Sequence, residues 1–205
     1  MKAKIILYFL FLFIFSSNIF GEENVWEDFI QEPNEINFIV CQQQIEESLF
    51  EDCEPYLSTT TVQLTEDCKI WKVLKLVENG NIYAIELCFQ LYPLFIGYPN
   101  YLEFFDIYLG RLIEKNPELF LRLLDKYLGK SFHSLGGILC NYGEEFVDKF
   151  DEKIVETQKR VKALQKVQNK SLIKIRDQCI DVLIKEEIFL KEAIIEMSPD
   201  TTNQF

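Results

Sequence analysis

Ile70-Trp71-Lys72-Val73-Leu74-Lys75-Leu76-Val77-Glu78-Asn79-Gly80-Asn81-Ile82-Tyr83-Ala84-Ile85 is the stretch that decides the fold class. Ile70, Val73, Leu74 and Val77 recur at three- and four-residue steps, which places them on one face of an α-helix. Gly80 supplies a backbone that readily turns left-handed and stops such a helix. Asn81 can cap the next one by accepting from a free N–H of its first turn. The reading is a helical hairpin, one helix from a Thr65 cap to Asn79 and a second from Asn81 to about Tyr92, where Pro93 ends it.

The same grammar continues on both sides. Leu94 to Pro99 holds Gly97 and Pro99 and reads as a turn. Asn100 can cap a helix to Lys115, apolar at Leu102, Phe105, Leu109, Leu112 and Ile113. Asn116-Pro117-Glu118 combines a cap, a first-turn proline and an acidic first turn, a strong start for a helix ending at Leu128-Gly129. Ser134 begins a shorter, glycine-interrupted piece to Tyr142. Upstream, Asn34 can cap a helix from Glu35 to about Phe50, with Ile36, Ile39, Ile45 and Leu49 roughly on one face. Glu22 to Pro33 reads as irregular.

Asn81 and Asn116 lie 35 residues apart, each before the second helix of a pair. In that register Leu74 falls on Leu109, Val77 on Leu112, Ile85 on Phe120 and Tyr92 on Tyr127, whereas Leu76 meets Arg111 and Leu87 meets Arg122. Two hairpins of similar build standing side by side are the unit of an α-solenoid, and ordinary bundle helices also overlay this way. Glu144 to Met197 contains neither Pro nor Gly and reads as two long helices or one kinked helix, with a dip in apolarity at Gln168-Asn169-Lys170-Ser171. Its seven-residue seams are interrupted by Gln165, Gln168 and Glu186, too often for a clean zipper, so packing along the domain is expected. The expected fold is all-α: helical hairpins, solenoid-like or bundled, packed with a long C-terminal helical segment. The expected organisation is a signal peptide over 1–21, a loop-rich segment with one helix over 22–64, the helical domain over 65–197 and a disordered tail over 198–205.

The leader reading rests on order. Met1-Lys2-Ala3-Lys4 is basic, Ile5 to Phe15 is uncharged and apolar, and Ser16 to Gly21 is a polar stretch ending in a small residue. Eleven apolar residues fall short of the roughly 20 that span a bilayer, so cleavage and a periplasmic or secreted location are expected, with no membrane span afterwards. The 21 basic residues less Lys2 and Lys4 leave 19 against 33 acidic ones. Such a balance disfavours nucleic acid and anionic lipid, which need a basic footprint, and permits a basic protein partner. All six cysteines lie beyond the leader: Cys41, Cys53, Cys68, Cys88, Cys140 and Cys179. An even count in an exported chain reads as up to three disulfides, with a local bridge among the first three and a long-range one among the last three expected.

Chemistry is thinly signalled. His133 is the only histidine, beside Ser131 and Ser134 in a helix connection, and zinc spacing is absent. The acidic runs Glu46-Glu47, Glu144-Glu145 with Asp148, and Glu186-Glu187 read as solvated helix faces. Gly129 and Gly136-Gly137 match no phosphate-loop pattern, no cofactor motif occurs, and Asn169-Lys170-Ser171 fits the frequent glycosylation pattern. The aromatic run from Phe89 to Tyr108 is the most distinctive feature. Tyr92, Tyr98 and Tyr101 flank Pro93 and Pro99 and are the candidates for a partner surface, against the alternative of core packing. The functional expectation is an exported, disulfide-stabilised helical binding protein without a catalytic centre, of which an inhibitor or immunity protein against a basic partner is one form. The alternatives are a carboxylate-dependent hydrolase in a helical cleft and a self-associating envelope protein.

Overall fold

The computed structural model describes residues 25–43, 69–128 and 135–197. Nine α-helices and no strand occur among them: α1 (Val25–Gln31), α2 (Glu35–Gln43), α3 (Lys69–Glu78), α4 (Ile82–Leu91), α5 (Pro99–Lys115), α6 (Pro117–Leu123), α7 (Leu135–Cys140), α8 (Phe150–Gln165) and α9 (Ile173–Met197). The all-α expectation holds. The proposed signal peptide, the Thr65 cap, Cys53, Cys68, His133 and the tail over 198–205 lie outside the described residues.

Four asparagines set the phase of the chain. Asn34, Asn81 and Asn116 each accept a backbone N–H three residues on, at 2.9, 2.9 and 3.1 Å, opening α2, α4 and α6. Asn169 accepts from Ser171 N at 3.2 Å and opens the 3-10 turn Lys170–Leu172 that leads into α9. Each therefore starts the second helix of a hairpin: α1–α2, α3–α4, α5–α6 and α8–α9. The caps satisfy N–H groups that a helix start otherwise leaves open. Gly80 closes α3 at φ +81°, and Asn81 N reaches back to Leu76 O at 3.0 Å, a six-to-one C-terminal bond.

Neighbouring hairpins stack in kind. α1 packs on α3 and α3 on α5, while α2 packs on α4 and α4 on the π turn Leu124–Leu128 that extends α6. First helices thus form one layer and second helices another, the arrangement of a short α-solenoid. The turns are tied too. Asn81 Nδ2 donates to Pro33 O at 3.1 Å, Lys115 Nζ to Glu78 O at 3.1 Å, and Asn169 Nδ2 to Glu118 Oε1 at 3.0 Å. Between the second helices, Glu86 accepts from Lys126 Nζ and the Tyr127 hydroxyl. The regular stacking ends at α7, which lies against α5, and the α8–α9 hairpin closes that end by packing on α5 and α7.

Several sequence expectations are corrected. Val25–Gln31 is helical, not irregular, because Trp26 and Phe29 are fully buried against the stack. The described part of the N-terminal segment, 25–43, therefore holds two helices, which form the first hairpin of the stack. α2 turns Phe38 and Cys41 inward, not Ile36 and Ile39. The larger Phe38 ring packs on Phe29 and Tyr83, with centroids 6.5 and 5.7 Å apart, and an aromatic in that slot buries more surface than an isoleucine would. α5 begins at Pro99, so Asn100 lies inside its first turn and is not its cap. The apolarity dip at Gln168 is borne out as the break between α8 and α9.

α7 packs closely on α5. A side chain at Gly110 of α5 would meet Ile138 O at 2.6 Å, and one at Gly137 of α7 would meet the Asp106 carboxylate at 2.5 Å. Two glycines facing opposite helices let α5 and α7 approach. α7 is flanked by opposite charges. Asp106 lies over Gly137 in its N-terminal half, and the Arg160 guanidinium donates to Leu139 O at 2.6 Å, to Ile138 O at 3.4 Å and to Asn141 O at 3.3 Å at its C-terminal end. That arrangement matches the helix dipole and serves carbonyls the last turn cannot pair.

Candidate functional site: an acidic, apolar end face

The tyrosines singled out from sequence are placed by the structure mainly in the core. Tyr92 and Tyr101 are fully buried around the 3-10 turn Tyr92–Phe95, packed with Phe95 and Phe105. Tyr98 is half-buried with its ring 6.2 Å from Phe95. The expected tyrosine surface is corrected for Tyr92 and Tyr101, which a partner cannot reach. Pro93 and Pro99 bend the chain so that these rings turn inward and close the top of α5.

The disulfide expectation is corrected as well. Cys41, Cys88, Cys140 and Cys179 are unpaired thiols, so neither the long-range bridge nor a three-bridge framework forms. Each sits on a different helix and fills core volume as a small apolar side chain. Cys41 Sγ also donates to Val25 O at 3.2 Å. Burial pushes the Cys41, Cys140 and Cys179 thiols up to about 12 and the Cys88 thiol higher still, removing the thiolate that nucleophilic or metal chemistry needs.

The carboxylates follow the same pattern. Glu187 accepts from Gln158 Nε2 at 2.8 Å and Lys191 Nζ at 2.6 Å, and these bonds hold it below its ordinary range. Glu186 is half-buried and raised by burial. Asp106 is the one buried acid among the described residues, 7% exposed, and accepts from the Tyr92 hydroxyl at 2.7 Å. Burial raises it to about 6, the Tyr92 bond opposing and the charge of Glu103 assisting. Asp106 and Arg160 brace α7 from two sides, and Arg160 stacks 4.2 Å from the Tyr142 ring centroid. No group of three metal-ligating side chains occurs among the described residues, and no described helix is long and apolar enough to cross a membrane.

Two surface features of the hairpin stack lie outside this core. A groove of about 200 Å³ runs between the α3–α4 turn and the α5–α6 turn, floored by Val77, Ile85, Leu112 and Leu119 and edged by Tyr108, Arg111 and Lys115. Its cations are already engaged: Arg111 lies 3.5 Å from Glu78 and 3.4 Å from Glu145, and Lys115 donates to the Glu78 carbonyl. The second is the outer face of α2 at the open end of the stack. Ile36 is 73% exposed, Ile39 and Val40 are also exposed, and Glu32 and Glu35 stand beside them. Terminal repeats of a stack ordinarily turn a polar face to water. Here the terminal hairpin presents an aliphatic patch edged by carboxylates. Helical spacing puts Ile36 and Ile39 roughly on one face, but isoleucine at such spacing is core more often than surface, so the pattern does not mark the face as exposed.

The segment of sequence that contains α1 and α2 is unusual in its charge. Glu22 to Cys68 contains 13 acidic residues and no Lys or Arg, whereas residues 69–205 carry 20 acidic and 19 basic ones. Beyond residue 21, the excess negative charge therefore belongs almost wholly to the segment of sequence that contains α1 and α2. The described residues form an all-α stack of hairpins whose first hairpin exposes Ile36, Ile39 and Val40 beside Glu32 and Glu35. No family model, curated protein or solved structure matches the chain.

Proposed function

We propose that this is an exported binding protein whose acidic N-terminal hairpin captures a basic, apolar segment of a protein partner. The observation that carries the proposal is the segregation of charge: 13 acids without a single Lys or Arg between Glu22 and Cys68, beside a nearly neutral remainder. Excess acid serving solubility alone needs no such placement. An aliphatic patch edged by carboxylates is the complement of a helix with leucines and lysines on adjoining faces. Carboxylates at the rim steer approach and make association sensitive to salt, while Ile36, Ile39 and Val40 supply the desolvated centre. An inhibitor or immunity-type protein acting on a basic target has this chemistry. The leader-like residues 1–21 support export.

The test is titration calorimetry of the purified protein with an amphipathic Lys/Leu peptide and with its Glu/Leu counterpart, at low and high salt. Binding of the basic peptide alone, weakened by salt and by Ile36→Asp with Ile39→Asp, supports the proposal. Equal binding of both peptides, or binding indifferent to the α2 substitutions, overturns it.

A further inference from the structure

At the opposite end of the molecule, the outer face of α9 carries a pattern unrelated to its packing. α9 is 25 residues long against 16 for its hairpin partner α8. Its inward side chains are Ile175, Cys179, Leu183 and Leu190. On the outward side Asp177, Asp181, Ile184, Ile188, Lys191 and Ile195 are all exposed, Ile188 by 51% and Ile195 by 72%. At 3.6 residues per turn these six fall in a stripe roughly 80° wide and about 27 Å long. The stripe therefore runs straight along the helix, as a helix-pairing seam does.

The order within the stripe is nearly symmetric under reversal. Reading from the midpoint between Ile184 and Ile188, each isoleucine maps onto the other, Asp181 maps onto Lys191, and Asp177 maps onto Ile195. We infer that the α9 outer face pairs with α9 of a second copy of this chain, antiparallel, about a twofold axis at residue 186. Four isoleucines, Ile184 and Ile188 from each copy, meet at the centre. An Asp181–Lys191 ion pair closes each side. A twofold interface uses the same patch twice and must be complementary to itself, which is the property this stripe has. Gln158 fixes Glu187, which lies 2.6 Å from Lys191 Nζ and holds that ammonium at the edge of the face. The one mismatch, Asp177 opposite Ile195, falls at the ends, where water reaches the aspartate.

The experiment is sedimentation equilibrium of the intact protein over a range of concentrations, with circular dichroism to verify helix content. Wild type should show a monomer–dimer equilibrium. Asp181→Lys and Lys191→Asp each place like charges opposite one another twice per dimer, and each should weaken association about tenfold. The double exchange restores opposite charges and should return the dimer to within about threefold of wild type. Ile188→Lys should give monomer with unchanged helix content. A wild type that stays monomeric at all concentrations overturns the inference. So does a dimer that ignores the single exchanges, or a double exchange no stronger than either single one.

Discussion

Replacing Asp106 with asparagine should stabilise the protein at neutral pH and leave its stability nearly unchanged in acid. Asp106 sits between α5 and α7 with Gly137 beneath it, and accepts a hydrogen bond from the Tyr92 hydroxyl. Burial raises its carboxyl from 3.8 to about 6, against the opposing pull of Tyr92 and with the help of Glu103. In the unfolded chain the same group titrates near its ordinary value. Between about pH 4 and pH 6 the folded state therefore holds a proton that the unfolded state has lost. Stability is fullest below that window and falls as pH rises through it. At 1.36 kcal/mol for each unit of displacement, the loss is roughly 3 kcal/mol by neutral pH. Asparagine has nearly the same shape, still accepts from Tyr92 and carries no charge. Urea unfolding of wild type and Asp106→Asn at a series of pH values measures the effect. The difference should grow from near zero at about pH 4 to roughly 3 kcal/mol in favour of the variant at about pH 7. A difference that stays flat would refute the reasoning. A variant less stable at neutral pH would also refute it, and would mean that the α7 N–H groups favour the ionised form enough to outweigh burial.

The remaining predictions concern the scaffold. Gly110→Ala and Gly137→Ala each force a methyl into a neighbour at 2.6 or 2.5 Å, and should cost about 1–3 kcal/mol or more by urea unfolding, since α5 and α7 must separate. Asn81→Ala and Asn116→Ala each remove a cap and should lower stability by about 1 kcal/mol, with losses that add because the two caps open different helices. Cys88 and Cys179 should resist alkylation in the native protein without prior reduction, and react once urea is added. Peptide mapping by mass spectrometry reads this directly, and a bridge between them would leave both unreactive in urea until reduced.

Much of the architecture was legible because its signals are local. Asn34, Asn81 and Asn116 announce helix starts within three residues, and Gly80 and Pro117 punctuate the same hairpins. The 35-residue step from Asn81 to Asn116 was readable because each caps the second helix of its hairpin. What failed depended on contacts far apart in sequence. Ile36 and Phe38 are both apolar, and only the position of Phe29 and Tyr83 decides which one turns inward. Trp26 and Phe29 lie in a stretch too short and acidic to read as a helix, yet the stack gives them a core. Tyr92 and Tyr101 look like a display beside two prolines, but the chain folds back over Phe105. The even cysteine count suggested bridges, whereas each described thiol sits on its own helix. Arg160 lay unnoticed in a charged helix, because nothing near it in sequence shows that it reaches the carbonyl end of α7. The acidic end face combines the two kinds of signal. Its carboxylates can be counted in the sequence, but its aliphatic patch appears only once Phe38 has taken the inward side of α2.

The most direct test of the capture proposal is hydrogen exchange of the protein with and without the amphipathic Lys/Leu peptide. Slowed exchange confined to α1 and α2, with α8 and α9 unchanged, is the predicted result. Protection at α8–α9, in the groove beside Arg111, or nowhere would contradict it.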